Sequence, residues 1–122
     1  MPTRERVEAF IAAIERCEFL EVMPEYYAED ATAQENCDPP RVGLAAMMAN
    51  EKAFLAQARF EGSRAASFAM NGDVVAINWV FDVVIGGHRI HLDEIAYQPW
   101  RGEKIVRERY YYDPAQRKPK AQ

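Results

Sequence analysis

The sequence is poor in the residues that anchor metal and redox chemistry. It has two cysteines, Cys17 and Cys37, and two histidines, His88 and His91. The cysteines lack metal-ligand spacing and read as free thiols of a reducing compartment. There is no glycine-rich phosphate loop, metal cluster or nucleophile elbow, so no cofactor is expected. No apolar run approaches the roughly 18 residues that a membrane span requires. Positive charge is not in excess, since 15 Lys and Arg stand against 19 Asp and Glu for a net charge of -4. That balance argues against a nucleic-acid surface. Met1 leads directly into a charged helical segment, so no signal peptide is expected. These absences predict a cytoplasmic protein with neither nucleic acid nor membrane as partner. Internal repeats and low-complexity segments are also missing. With 122 residues, of which 49% are hydrophobic, the chain is expected to form one domain over 1–122 with a real core.

What is present in quantity is β-forming sequence. Three strands are predicted between Val74 and Asp113, as VVAINWVFDVVI, HRIHLDEIAYQ and EKIVRERYYYD. Gly86-Gly87 separates the first two and suits a primed two-residue turn. It sets Ile85 opposite His88, Phe81 opposite Leu92 and Trp79 opposite Glu94. The second turn has two readings. A bulged loop over Trp100-Arg101-Gly102 pairs Ala96 with Val106, Glu94 with Glu108 and Leu92 with Tyr110. A tighter Arg101-Gly102 turn slips the last strand by one residue and flips its faces. The bulged loop is preferred, because Arg101 fits poorly at positive φ. It also gathers Ile77, Trp79, Phe81, Val83, Ile90, Leu92, Ala96, Val106, Tyr110 and Tyr112 on one face.

Upstream, Thr3 is a candidate N-cap for a helix with the apolar stripe Val7, Phe10, Ile11, Ile14 and Cys17. Pro24 opens a short helix PEYYAED, and Ala31 to Asn36 reads as a short strand. Asp38-Pro39-Pro40 is a rigid link. Gly43 to Gln57 is a second long helix. Arg59 to Met70 is a strand with imperfect alternation, and Asn71-Gly72-Asp73 is a turn. The order predicts an α+β fold, with about three helices on one face of a four-stranded antiparallel meander. A frayed basic tail is expected from about residue 116. Val80, Val84, Ile95, Ile105 and Tyr111 interrupt the polar outer face, which predicts a homodimer through that face.

Two carboxylates, Glu94 and Glu108, fall on the covered face. An acid placed there is costly unless it is paired or protonated, and two neighbouring acids raise one another's pKa. They are the leading candidates for catalysis, with Glu35 as a third. Tyr26, Tyr27, Tyr110, Tyr112 and Trp79 are candidate substrate contacts, each also explicable as aromatic core. His88 and His91 read as surface residues of a hairpin tip. Asp93, Arg107 and Arg109 read as cross-strand ion pairs.

The segment YYAEDATAQENCDPPRVGLAAM, with its Ala28 to Thr32 core, resembles the helix–strand–loop–helix region of the nuclear-transport-factor-2-like superfamily. The ending GEKIVRERYYYDPA resembles the last hairpin of its SnoaL-like members. The resemblance runs from Val7 to Ala115. It implies a cone: a curved antiparallel sheet wrapped around helices, with an apolar pocket inside. It also implies that Glu35 lies near the carboxylate base of ketosteroid isomerase. Glu94 would then lie near that enzyme's protonated carboxylic acid. The oxyanion tyrosine of that enzyme has no counterpart, since Phe10 or Ile11 stands in its place. The Asp-Arg-Asp set of limonene epoxide hydrolase is not matched in full.

Two classes of function follow. One is an isomerase, cyclase or dehydratase acting on an apolar carbonyl or hydroxyl compound. There Glu35 would move a proton, and neutral Glu94 or Glu108 would donate a hydrogen bond to a developing oxyanion. The other is a non-catalytic ligand-binding or dimerisation module with the same pocket.

Overall fold

The computed structural model describes residues 1–118. Three helices, α1 (Arg4–Glu15), α2 (Val22–Tyr26) and α3 (Leu44–Leu55), cover one face of a sheet. The strands are β1 (Tyr27–Glu35), β2 (Arg41–Val42), β3 (Ala58–Asn71), β4 (Val74–Ile85), β5 (His88–Arg101) and β6 (Lys104–Tyr111). A 3-10 turn follows at Pro114–Arg117. The six strands lie in the order β2-β1-β6-β5-β4-β3 and leave the sheet open. This is the expected α+β cone with one correction. The sheet is mixed, because β1 runs parallel to β6.

The first helix forms where its sequence says. Thr3 caps it, accepting a hydrogen bond from the Arg6 amide at 3.1 Å, a contact worth about 1 kcal/mol. Val7, Phe10, Ile11 and Ile14 are buried along one stripe. Cys17 leaves the stripe and is exposed, in left-handed backbone (φ 63) just past the helix end. Phe10 is the hub of the packing. Its ring meets Tyr26, Tyr27, Trp79 and Trp100 edge-on, with centroids 5.2 to 6.4 Å apart.

The second helix is shorter than expected. It stops at Tyr26, and Tyr27 already belongs to β1. Pairing with β6 buries Tyr27, Ala28, Ala31 and Ala33, and that tertiary gain overrides local helix propensity.

Both later hairpins turn on glycine. Gly86 and Gly87 have φ of 57 and 81, and β4 and β5 pair as predicted, with Trp79 opposite Glu94. The β5–β6 pairing differs from both readings of the sequence. β5 runs on through Pro99 to Arg101, which pairs with Lys104, so the turn is Gly102-Glu103. Gly102 takes the left-handed conformation at φ 61, the first-position signature of a II′ turn. A bulge between Tyr97 and Trp100 then brings Ala96 opposite Tyr110 instead of Val106. Pro99 has no amide hydrogen to offer a regular ladder there. The bulge also turns Ile105 into the core, fully buried, so it is no part of the outer face. Glu108 still points inward, but its cross-strand neighbour is not Glu94.

The imperfect alternation of β3 has a similar cause. Glu61 and Ala66 are extra residues opposite β4, so the strand changes face twice. Such bulges bend a strand and deepen the curvature of its sheet. At the other end, Asp113 caps the 3-10 turn through the Ala115 amide. Gln116 bonds both the amide and the carbonyl of Asp93. Gln116 and Arg117, expected to fray, are therefore held in place. The rest of the expected tail, 119–122, lies outside the described residues.

Gly102 gives a clean test of the turn. A Cβ there meets nothing within 4 Å, so Gly102→Ala carries only the backbone cost of φ near +60°, about 1 kcal/mol. Urea unfolding should show that loss, and Gly102→Asn should show less.

Candidate functional site

The helices do not close fully onto the sheet. A cavity of about 440 Å³ remains between α1, α2 and α3 and the inner face of the strands. Its sheet wall carries Trp79 and Phe81 from β4, Leu92 and Glu94 from β5, and Glu108 and Tyr110 from β6. Its helical wall carries Met47, Asn50, Glu51, Phe54 and Gln57, the positions that share one face of α3 and the turn after it. Glu35, Arg41 and Arg117 stand at its polar side.

Glu108 is buried to 2% exposure, and three donors meet it. The Tyr27 and Tyr110 hydroxyls both donate to its Oε1, and the Gln98 side-chain amide donates to Oε2. The orientation of Gln98 is fixed in turn. The Trp100 indole can only donate, and it gives its proton to Gln98 Oε1 at 3.3 Å. Burial pushes the Glu108 carboxyl up and the three donors pull it down, and burial prevails, so the group stands above its ordinary value. Burial, then the adjacent carboxylate, hold both phenols well above their usual value, so they remain donors. The donors favour the ionised form of Glu108, against the burial that disfavours it.

Glu94 is in the opposite situation. Its carboxyl reaches the same cavity and has no hydrogen-bond or ion-pair partner among the described residues. Burial first, then the charges of Glu108 and Glu35, push it from 4.5 to about 8. A value of about 8 favours the protonated form of Glu94 at neutral pH. The repulsion expected between Glu94 and Glu108 is present, although the two do not face each other across the ladder. Glu51, on α3, is also raised, by burial and by Glu108.

Glu35 is partly buried at the end of β1 and well satisfied. It accepts from Arg41 at 2.9 Å, from the Tyr112 hydroxyl at 3.2 Å and from Arg117 at 3.2 Å. Arg117 also lies over the Phe54 ring at 5.5 Å, linking this cluster to α3.

The cavity thus brings together Glu35, Glu94, Glu108, Tyr27, Trp79 and Tyr110. Tyr26 and Tyr112 do not line it. Tyr26 is buried between Phe10 and the Arg6 guanidinium, and Tyr112 stands behind Glu35. Residues missed from the sequence are Arg41, Glu51, Gln98 and Arg117. Asp113-Pro114 was a legible signal for the last, because an Asp before a Pro commonly starts a helical turn. His91 sits on the outer face with Asp82 at 2.7 Å, away from the cavity. Among the described residues, no group of His, Cys, Asp and Glu is arranged to hold a metal ion. No helix among the described residues is long and apolar enough to cross a membrane.

Two variants test these electrostatics. A carboxyl whose folded pKa is raised favours folding only below its unfolded value, and that contribution is lost as pH rises through about 8. Glu94→Gln should therefore leave stability unchanged at pH 4. It should raise stability by about 2 kcal/mol at pH 8, after allowing for water in the cavity. Gln98→Leu should cost about 2 kcal/mol, because it leaves the Glu108 carboxylate and the Trp100 indole short of a partner. Both are read by urea unfolding across pH.

The comparisons with known proteins agree with this geometry. Residues 7–108 match the family model of the SnoaL-like domain. No curated protein sequence matches the chain. Among solved structures, a candidate SnoaL-like polyketide cyclase from Mesorhizobium loti superposes with a TM-score of 0.83 at 23% identity, covering 92% of this chain and 100% of that one. An LEH-like epoxide hydrolase from M. tuberculosis gives 0.75 at 17% identity, covering 92% and 83%. A protein of ketosteroid isomerase-like fold from Catenulispora acidiphila, solved with trimethylamine, gives 0.75 at 21% identity, covering 93% and 89%. The family match spans most of the chain, so the chain belongs to the SnoaL-like domain family, and the superpositions show that it shares the fold of these structures.

Proposed function

We propose that this protein binds a small apolar compound bearing a carbonyl or hydroxyl group and moves a proton on it, as an isomerase, cyclase or dehydratase. One observation carries the reading: the Glu94 carboxyl reaches a cavity walled by Trp79, Phe81 and Leu92 with no hydrogen-bond or ion-pair partner among the described residues, and burial raises it to about 8. A neutral carboxylic acid there can donate a hydrogen bond to an oxygen on which negative charge develops. Trp79, Tyr27 and Tyr110 form the surface against which the compound packs, and Glu108 fixes the two tyrosines. Tyr26 supports that surface through Phe10, and Tyr112 supports Glu35. Glu35 was expected to move the proton. With three donors on its carboxylate, its role in this reading is to hold Arg41 and Arg117 at the rim.

Ligand binding without turnover is the second reading, favoured by the number of donors already committed to Glu35 and Glu108. In either case we take residues 1–122 as one unit, cytoplasmic and without a cofactor, that pairs as a homodimer. Ile95, Tyr97 and Tyr111 are the large apolar side chains exposed on the outer face for that pairing.

The test uses 2-acetylnaphthalene, a flat apolar ketone that does not titrate. Its dissociation constant should rise about tenfold between pH 6 and pH 9.5, because ionised Glu94 cannot donate. Glu94→Gln should bind with little pH dependence, and Glu94→Leu should bind weakly throughout. Absence of binding, or wild-type binding that ignores pH, would overturn the proposal.

A further inference from the structure

Four carboxyl groups line the cavity: Glu35, Glu51, Glu94 and Glu108. Their hydrogen-bond environments divide them. Glu35 and Glu108 each accept three donors. Glu51 and Glu94 accept none among the described residues. An acid needs a free O–H and a base needs a free lone pair, and these last two have all of their hydrogen-bonding capacity open to a ligand, whereas Glu35 and Glu108 have most of theirs committed. They also stand on different walls. Glu94 comes from β5 in the sheet, and Glu51 comes from α3, one turn after buried Met47.

The inward face of α3 supports the same conclusion. Met47, Glu51 and Phe54 share it, while Ala45, Ala46 and Ala49 are exposed on the helix's other sides. A helix chosen only for packing would keep alanine or leucine inside and place its glutamate in water. Here the glutamate is half-buried, and it has no counter-ion in contact. The charged groups that act on it come from other elements: Glu108 on β6, Arg41 on β2, Glu35 on β1 and Glu94 on β5. Burial, followed by the charge of Glu108, raises its affinity for a proton above that of an exposed glutamate, which makes it the stronger base.

We propose that Glu51 is the proton-transfer base of this cavity, acting across the ligand from Glu94. The inference rests on the carbonyl-ligand reading above and names the missing half of its chemistry. The Glu51 carboxylate takes a proton from the carbon next to the ligand carbonyl. The C–H electron pair becomes the carbon–carbon double bond of an enol, and the carbonyl π pair moves to oxygen. That oxygen takes the hydrogen bond, or the proton, of Glu94. As the carbonyl re-forms, Glu94 recovers any proton it gave the oxygen, and Glu51 returns a proton to the same or another carbon. The first gives exchange when the Glu51 proton has been replaced from water, the second an isomerisation, with no oxidant or reductant needed.

The experiment follows deuterium entering the methyl group of 2-acetylnaphthalene in D2O, by NMR, with binding of the same ketone measured in parallel. Wild-type protein should accelerate the exchange above buffer. Glu51→Gln should bind the ketone within about twofold of wild type, which also reports a folded cavity, and should lose at least about tenfold in exchange rate, as loss of a general base does. Glu51→Asp should recover part of that rate. Exchange that persists in Glu51→Gln, or that disappears instead in Glu35→Gln, overturns the assignment of Glu51 and leaves the carbonyl-ligand reading standing. Wild type that binds the ketone without accelerating exchange overturns proton transfer, and Glu51 with it. Wild type that does not bind overturns the underlying function.

Discussion

A buried carboxylate has to be answered by donors, and Glu108 is the point from which the rest of the site is arranged. The three side chains that answer it come from three places: Tyr27 at the start of β1, Gln98 in β5 and Tyr110 in β6 itself. Meeting that demand requires β1 to lie beside β6 and requires the β5–β6 pairing that sets Gln98 near Glu108. Breaking a buried charged network by removing one partner costs several times more than losing a surface pair. Glu108 therefore acts as a constraint on topology as well as a polar group in a cavity. Its negative charge also raises the pKa of Glu94 and of Glu51, so the groups left free take their character from it.

Much of this was readable before the structure. The β4–β5 hairpin was fixed residue by residue, because two adjacent glycines leave one economical turn and the alternating pattern admits one register. The stripe of α1 followed from its spacing. The inward direction of Glu94 and Glu108 followed from period-two alternation. That alternation held for Glu108 even though the hairpin register was misjudged, because the displacement at Tyr110 is an even number of residues.

What was not readable depended on contacts distant in sequence. Nothing local in Tyr27-Ala28-Glu29-Asp30 distinguishes a helix end from a strand, and the choice is made by β6. The turn at Gly102-Glu103 needed a strand to run through Pro99, which local rules discourage. Nothing local announced that Glu35 is satisfied, because its three donors arrive from β2, from the segment after β6 and from the 3-10 turn. Glu51 lay in a helix of plausible surface polarity. Only the position of α3 over the cavity shows that its glutamate faces inward.

The parallel pairing of β1 with β6 has a consequence for how the molecule assembles. Tyr27 lies opposite Ile105, and Glu35 opposite Tyr110. These are among the contacts of greatest sequence separation in the fold, and closing such loops is entropically slow. The β3–β6 meander can form through successive hairpins, each with its own turn. β1 has no template until β6 is in place. Tyr27 reaches Glu108 only then, so the floor of the cavity is completed by the contacts of highest contact order. Until it is, β6 presents an unpaired edge of the kind that invites pairing with another chain.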